Sequence, residues 1–397
     1  MKLLQIFKST LAVLFILVFI MGGLSVVFAG KAPYKIGVNL ALTGPISGGT
    51  AAIKNGLMIE TDRINNSGGI DGHQLELIFE DSGLDITKMA NIHRKFARNK
   101  EIKAIIGPLF STATPTLTPI ADREQIPEIV LCPSSPVERS RKPKWAFYIA
   151  QGDPIVAARS IDLIEARGYK KIFAFYDQDP TYIGIVENMK VLGEKKGIEV
   201  FLSKEKFSTQ DTDMTPQILK IKKQLKNYDA LYIGTNGATG SIVARNLITQ
   251  GITMPILAPH GWGFGFTLAM GKEAVEGVEL VSGKACITDE LDDSDPQKAV
   301  IVDFNKRMQA RFQQPGDQLA GHSYDAIWIL YHALKRAGEN PSRPQLRDAI
   351  EKTKNFIGIT GVYNYSPSDH EGLTKEALAF IKIQNNKFNR IKIPGLN

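Results

Sequence analysis

The stretch YKIGVNLALTGPISGGTAAIKNGLMIETDRINNSGG, residues 34–69, decides the fold. It opens on a buried-type strand, Tyr34 to Leu40, and passes through a polar turn, Thr43-Gly44-Pro45-Ile46-Ser47-Gly48-Gly49. An amphipathic helix then runs from Ala51 to Asn65 and stops at Ser67-Gly68-Gly69. A strand that ends in a hydroxyl- and glycine-rich loop and feeds a helix builds an edge that faces a ligand.

The same alternation of short apolar runs and longer amphipathic ones continues along the chain, which is the α/β pattern. Strands are expected at Gln74 to Glu80, Ala104 to Ile106, Glu128 to Leu131, Lys171 to Tyr176, Ile198 to Phe201, Ala230 to Ile233, Ile256 to Ala258 and Gly277 to Val281. Helices are expected between them, among others at Ile86 to Arg98, Pro154 to Arg167, Ile183 to Lys196, Met214 to Leu225 and Ser241 to Gln250. Gly168, Gly197 and Gly251 sit just past periodic runs, where a left-handed cap belongs.

The alternation breaks between Pro133 and Pro154, where a basic patch (Arg139, Arg141, Lys142, Lys144) precedes the aromatic segment Trp145 to Tyr148. A second break, Ala285 to Gln297, carries an acidic run and leads into two long helices, Lys298 to Phe312 and Gly321 to Ala337, expected to return over the first lobe. A third, near Ile357 to Asn364, leads into a terminal hairpin, Ala377 to Gln384 and Phe388 to Ile393. The expected architecture is therefore two Rossmann-like α/β lobes joined by a three-strand hinge. Residues 30–150 with about 285–356 form the first lobe, and 151–284 with about 357–397 the second.

Lys2 and Lys8, the apolar run Leu11 to Met21, Gly22-Gly23 and small Ala29 have the layout of a secretory signal over residues 1–29, cleaved after Ala29. The apolar run is shorter than the roughly 20 residues that a bilayer span needs, with retention as an anchor the alternative. Removing 29 of 397 residues leaves 368 and lowers the formal charge from +7 to +5. Lysines and arginines are scattered over helices rather than interleaved with aromatics, which argues against nucleic acid. The two cysteines, Cys132 and Cys286, exclude a disulfide framework and read as separate buried thiols, a single bridge being the alternative.

The segments IGVNLALTGP at 36–45, INNSGGIDGHQLELIFEDSGLD at 64–85, AIIGPLFS at 104–111, GITMPILAPHG at 251–261 and HSYDA at 322–326 occur in that order. Together they closely resemble the type I periplasmic binding proteins, and within these the branched-chain amino acid (Leu/Ile/Val) group that serves ABC importers. The resemblance spans the whole chain after the signal. It implies a Venus-flytrap fold, a small-molecule ligand, a membrane permease as partner, a periplasmic or extracellular location and a monomer that needs no cofactor.

A small carboxylate taken from water needs neutral donors, best placed at a helix start. Leu109-Phe110-Ser111-Thr112 follows a strand and a Gly-Pro turn and precedes a helical run to Arg123. The resemblance makes Ser111 the carboxylate-binding hydroxyl, with Phe110 beside the ligand; a helix cap is the alternative for Ser111. Ser134 and Ser135, in Cys132-Pro133-Ser134-Ser135-Pro136, supply two more hydroxyls at the same sheet edge, although the family's threonine is missing there. Tyr182, just after the second lobe's first strand, matches a family tyrosine able to close over a bound side chain. Asn236 is a further candidate in the loop Thr235-Asn236-Gly237.

His260 is the chief departure. The family's amino-acid receptors have an acid here for the ligand's ammonium, and an imidazole cannot replace it beside a buried cation. The expectation is a carboxylate without an α-amino group, unless Asp177 or Asp179 supplies the charge. Gly48-Gly49, where the family often has a bulky aromatic, leaves room for a larger ligand, which Trp262 and Phe264 line unless they belong to the core.

No nucleophile elbow, phosphate loop, His-Glu-x-x-His or Cys-x-x-Cys occurs, so no catalytic residue is assigned. The six histidines are dispersed; His322 and His332 are out of phase for a shared face, so no metal site is expected. The rival classes are a ligand-sensing module for a membrane signalling partner and an exported hydrolase.

Overall fold

The computed structural model describes residues 31–44 and 47–396. The secretory-signal reading of residues 1–29 lies outside the described residues, as do Pro45 and Ile46 of the first turn. The first sheet uses β1 (Lys31–Leu40), β2 (His73–Asp81), β3 (Ile102–Ile106), β4 (Glu128–Val130) and β5 (Ala146–Tyr148), in the order β2-β1-β3-β4-β5. Between them run α1 (Ser47–Asn66), α2 (Ile86–Arg98), α3 (Thr114–Glu124) and α4 (Pro136–Arg141). The pairs β1–β3, β3–β4 and β4–β5 are parallel.

The second sheet repeats that design. Its strands β6 (Lys171–Tyr176), β7 (Glu199–Leu202), β8 (Ala230–Gly234), β9 (Ile256–Ala258) and β10 (Glu279–Gly283) lie in the order β7-β6-β8-β9-β10. Their helices are α5 (Asp153–Ala166), α6 (Pro180–Glu194), α7 (Thr215–Ile221), α8 (Gly237–Thr249) and α9 (Gly265–Gly271). The chain then forms α10 (Pro296–Phe312), α11 (Gln318–Ala337), α12 (Arg343–Glu351) and the small hairpin β11 (Phe356–Ile357) and β12 (Val362–Tyr363). It finally adds β13 (Leu378–Gln384) and β14 (Lys387–Arg390) antiparallel to the edge at β10. The result is the two-lobe α/β fold expected from the alternation.

Each parallel sheet is covered on both faces, which is why its strands read as unbroken apolar runs. Ile36, Val38, Ile106 and Ile129 share one core with Ile327, Leu330 and Leu334 of α11. Ile92 and Phe96 of α2 cover Ile102 and Ile105 on the opposite face. In the second lobe, Phe173 and Leu231 pack with α7 and α8, while Ile172 and Tyr232 face α5 and α6. The two long helices divide their packing. α11 packs on the first lobe, whereas Ile301, Phe304 and Met308 of α10 share one core cluster with Ile59 of α1 and with second-lobe residues, and Arg307 and Arg311 pair with Glu60 and Asp62 of α1.

Helix ends follow local chemistry. Asp85 caps α2 by accepting from Lys88 N at 2.9 Å, and Asp295 caps α10 by accepting from Gln297 N at 2.9 Å. Gly168, Gly197 and Gly251 take φ of +73°, +67° and +66° after α5, α6 and α8, where a side chain would be strained. The sequence reading missed β5, three residues long, the short α4 and α9, the hairpin β11–β12 and α12, announced only by the capping box of Ser342 with Gln345.

Asp325 of α11 ties the turn at Ile359-Thr360 to the first passage between the lobes. Its buried carboxylate accepts from Ile359 N at 2.6 Å, Thr360 N at 2.9 Å and the Tyr363 hydroxyl at 2.9 Å. The same hydroxyl lies 2.6 Å from the Ile149 carbonyl on the first passage. Gln151 donates to the Thr360 carbonyl at 3.0 Å, and Gln297, after the second passage, donates to the Ile359 carbonyl at 2.9 Å. Close helix packing holds α11 in place. A Cβ at Gly56 of α1 would lie 1.9 Å from Ser323 Oγ.

Asp325→Ala should destabilise the protein by about 3–5 kcal/mol, because two buried N–H groups and a hydroxyl lose their acceptor. Urea denaturation is the measurement; a loss below about 1 kcal/mol would mean that the passages hold without this carboxylate.

Candidate functional site

In each sheet the order of strands reverses next to the first strand, between β1 and β3 and between β6 and β8. Loops leaving the carboxyl ends on either side of such a reversal diverge and open a crevice. The first crevice receives Leu109-Phe110-Ser111 after β3; the second receives Asp177 to Asp179 after β6 and Thr235-Asn236 after β8. The two crevices meet. Ser111 Oγ lies 3.3 and 3.4 Å from the carboxylate oxygens of Asp179 in the other lobe.

Ser111 is not the cap of α3. The cap position is Ala113, with no side-chain cap, and Thr114 Oγ1 donates to the Ser111 carbonyl at 2.8 Å. The Ser111 hydroxyl is thereby left to the cleft. Phe110 beside it is half-buried against Met89, Ala113 and Leu117.

Ser134 and Ser135 are engaged within the protein. Ser135 forms a capping box with Glu138 at the start of α4, and the Glu138 carboxylate also accepts from Thr114 at 2.6 Å and from the Tyr148 hydroxyl at 2.9 Å. Ser134 donates to Glu371 and accepts from Arg139 at 3.0 Å. Arg139 in turn pairs with buried Asp153 at the start of α5, at 2.6 Å, so this cluster crosses between the lobes.

From the second lobe, Tyr182 stands in the first turn of α6, and a Cβ on Gly261 would lie 2.6 Å from its hydroxyl. Burial, then Asp177 and Asp179, push that phenol upward. Asn236 caps α8 by accepting from Thr239 N at 3.0 Å. Asp177 accepts from Thr235 Oγ1 at 2.5 Å and from Asp179 N at 2.8 Å; burial raises its carboxyl to about 7. Trp262 belongs to the core, fully buried with Nε1 donating to the Thr235 carbonyl at 3.0 Å. A Cβ on Gly48 would meet nothing within 4 Å, while one on Gly49 would lie 3.2 Å from Leu319.

His260 follows β9 in a short 3-10 turn, its carbonyl accepting from Ser282 Oγ at 2.9 Å. Its imidazole is buried, and Nδ1 has no hydrogen-bond partner among the described residues. Next to it stands a residue that sequence reasoning did not place in the site. His322 of α11 lies within electrostatic reach of His260, and its ring approaches the Leu131 backbone without a well-aligned hydrogen bond. Gln318, one turn earlier, donates to Gln151 at 2.7 Å and abuts Gly283 at the end of β10. The sequence signals for this pair were His260 at a strand end and His322 heading the HSYDA segment at a helix start.

Burial pushes His260 down to about 4; burial, then the nearby His260, does the same to His322. Cys132 and Cys286 form no bridge. Cys132 is buried, while Cys286 is only half-buried, with its thiol pushed up to about 12 by burial of the sulfur. Among the described residues no three His, Cys, Asp or Glu side chains gather as a metal site, and no helix is long and apolar enough to cross a membrane. A surface groove between the β13–β14 hairpin and residues 284–295 is lined by ion pairs such as Lys284–Asp295 and Arg390–Asp292, and lies apart from the cleft.

Residues 33–387 match the family described as periplasmic binding protein. The leucine-, isoleucine-, valine-, threonine- and alanine-binding protein of Pseudomonas aeruginosa is 25% identical over 319 residues, 78% of this chain and 82% of its own. An extracellular ligand-binding receptor from Rhodopseudomonas palustris HaA2 superposes with a TM-score of 0.82 at 24% identity, covering 91% of this chain and 100% of that one. The leucine binding protein LivK of Thermotoga maritima superposes with a TM-score of 0.76 at 24% identity, covering 90% and 97%.

The neutral histidines make stability depend on pH. Their folded values, about 4, lie below the ordinary 6.5, so the unfolded chain takes up protons that the folded chain refuses. This stability is fully present above pH 6.5 and is lost as pH falls toward 4. Asp177 and Asp325, raised to about 7 and about 6 by burial, act in the opposite sense over part of the range. Comparison with the His260→Gln/His322→Gln double variant isolates the histidines. Between pH 7 and pH 5 the wild type should lose about 2–4 kcal/mol more than the variant in denaturant titrations. Parallel profiles would show that these imidazoles titrate like exposed ones.

Proposed function

The chain belongs to the periplasmic binding protein family, and on that premise we propose that it is the extracytoplasmic receptor of an ABC importer, capturing one small carboxylate-bearing ligand between its lobes. The observation that carries this reading is the approach of Ser111 and Asp179 from the two strand-order reversals. A ligand that touches both loops binds the closed arrangement better than either lobe alone, which is the condition for capture by closure. Phe110, Tyr182, Asn236 and His260 stand on loops or helix starts after β3, β6, β8 and β9, and with Ser111, Ser134 and Ser135 they make up the proposed ligand-binding set. The chain acts as a monomer and hands its ligand to a membrane permease.

Two ligand classes fit, each on its own observation. Asp179 beside Ser111 offers a cation partner next to an anion-binding hydroxyl, which suits the zwitterionic head of a branched-chain amino acid. Threonine and valine are among the ligands in the name of the Pseudomonas relative. His260, neutral and buried, supplies no charge for an ammonium group and suits a carboxylate without an α-amino group.

Ser111→Ala should weaken ligand binding roughly tenfold or more, the equivalent of losing a charge-assisted hydrogen bond of about 1.5–3 kcal/mol. Calorimetry that found the affinity unchanged would remove Ser111 from the anion site. The ligand classes separate in a paired titration of leucine and its deaminated analogue. If Asp179 holds an ammonium, wild type prefers leucine and Asp179→Asn loses that preference. If His260 excludes one, wild type prefers the analogue and His260→Glu gains affinity for leucine.

A further inference from the structure

Apart from His73, which stacks on Tyr34, the buried or partly buried histidines near the sheets and the cleft fall into two kinds. His93 has both ring nitrogens paired, with Asn39 at 2.7 Å and Glu128 at 2.8 Å, and His370 is paired with the Ala146 carbonyl and Glu351, each at 3.0 Å. Those are structural. His260 and His322 are buried too, 8% and 5% exposed, yet Nδ1 of the first has no hydrogen-bond partner among the described residues, and the ring of the second approaches the Leu131 backbone without forming a well-aligned hydrogen bond. Leaving a buried donor or acceptor unpaired costs stability, and such groups persist where a ligand completes them.

The two rings converge from different lobes on one built place. His260 ends β9 of the second lobe, while His322 sits on α11, whose apolar face is part of the first lobe's core. The first turn of α11 presses Gln318 against Gly283 at the end of β10, and Ser282 beside it holds the His260 carbonyl. The unpaired Gln318 Oε1 belongs to the same floor. The two imidazoles thus come from separate lobes.

We infer that His260 and His322 together hold an oxygen-bearing group of the ligand, a hydroxyl or carbonyl distinct from the carboxylate taken at Ser111. The inference rests on the capture of a small carboxylate in the cleft. A neutral imidazole offers one N–H donor and one bare nitrogen acceptor, so two of them complement a hydroxyl that both gives and receives. A methyl group in that place leaves the ring nitrogens unpaired, and a site made for a hydroxyl rejects its apolar isostere for that reason. The pair is a specificity element whose halves lie on separate lobes.

Two isosteric probe pairs test it by calorimetry on the mature chain: valine with threonine, and 3-methylbutanoate with 3-hydroxybutanoate. Each pair exchanges one methyl for a hydroxyl. Within the pair that binds, the hydroxyl member should bind roughly tenfold or more tightly, and the preference should shrink to about threefold or less in His322→Leu and in His260→Leu. Equal binding of both members by the wild type overturns the inference, as does a preference that survives in a folded variant. Thermal unfolding without ligand is a separate readout. Both variants should match or exceed the wild-type Tm, because buried unpaired nitrogens are removed, and a fall of more than about 5 °C in both would make the histidines structural. If no probe binds, small-carboxylate capture has failed, while the unfolding measurement still decides the role of the histidines.

Discussion

The carboxylate of Asp325 is the constraint on which the two-lobe arrangement turns. It is buried at the junction, and its oxygens receive the backbone N–H groups of Ile359 and Thr360 and the hydroxyl of Tyr363. Burial still prevails over those bonds and raises the carboxyl to about 6. The cost of placing a charge there is met by specific geometry. Because Tyr363 also reaches the Ile149 carbonyl, a single side chain fixes the spacing of chain segments far apart in sequence. Everything that faces the cleft inherits its position from this knot.

Around the knot the interactions are polar and short-ranged. Gln151, Gln297 and Gln318 bridge passages through amide groups, and the Arg139–Asp153 pair and Ser134–Glu371 bond add a second line of contacts between the lobes. Polar contacts of this kind exchange with water at little net cost, unlike a large apolar interface. Rigid apolar cores within each lobe and a hydrogen-bonded seam between them are what a hinge requires.

The cleft has two electrostatic characters side by side. Near Ser111 it is acidic, with Asp179 at the surface of the gap and Asp177 behind it, held by Thr235 and the Asp179 N–H. Toward the hinge it is neutral and polar, with His260, His322 and Gln318 carrying unpaired atoms. A ligand with a charged head and an uncharged polar group would satisfy both ends, whereas a purely apolar side chain would leave the hinge end unmatched.

Much of the fold was legible because it is written in local signals. The strand, turn and helix of residues 34–69, the caps at Asp85 and Gly168 and the buried runs of β3 and β6 each follow from periodicity, capping and burial within a few residues. Short β5 escaped, since three residues carry no period, and α10 was assigned to one lobe although its apolar face serves two. At the site, sequence alone placed Ser111 and His260 at strand ends. It could not show that Ser135 is spent on a capping box, that Trp262 is core, or that Asp179 reaches Ser111. Nor could it bring His260 and His322 together, which stand 62 residues apart on different elements. Local pattern determines which residues end a strand or line a helix face; which of those ends meet is decided by how two separately folded sheets are held about a hinge, and that information resides in no single segment.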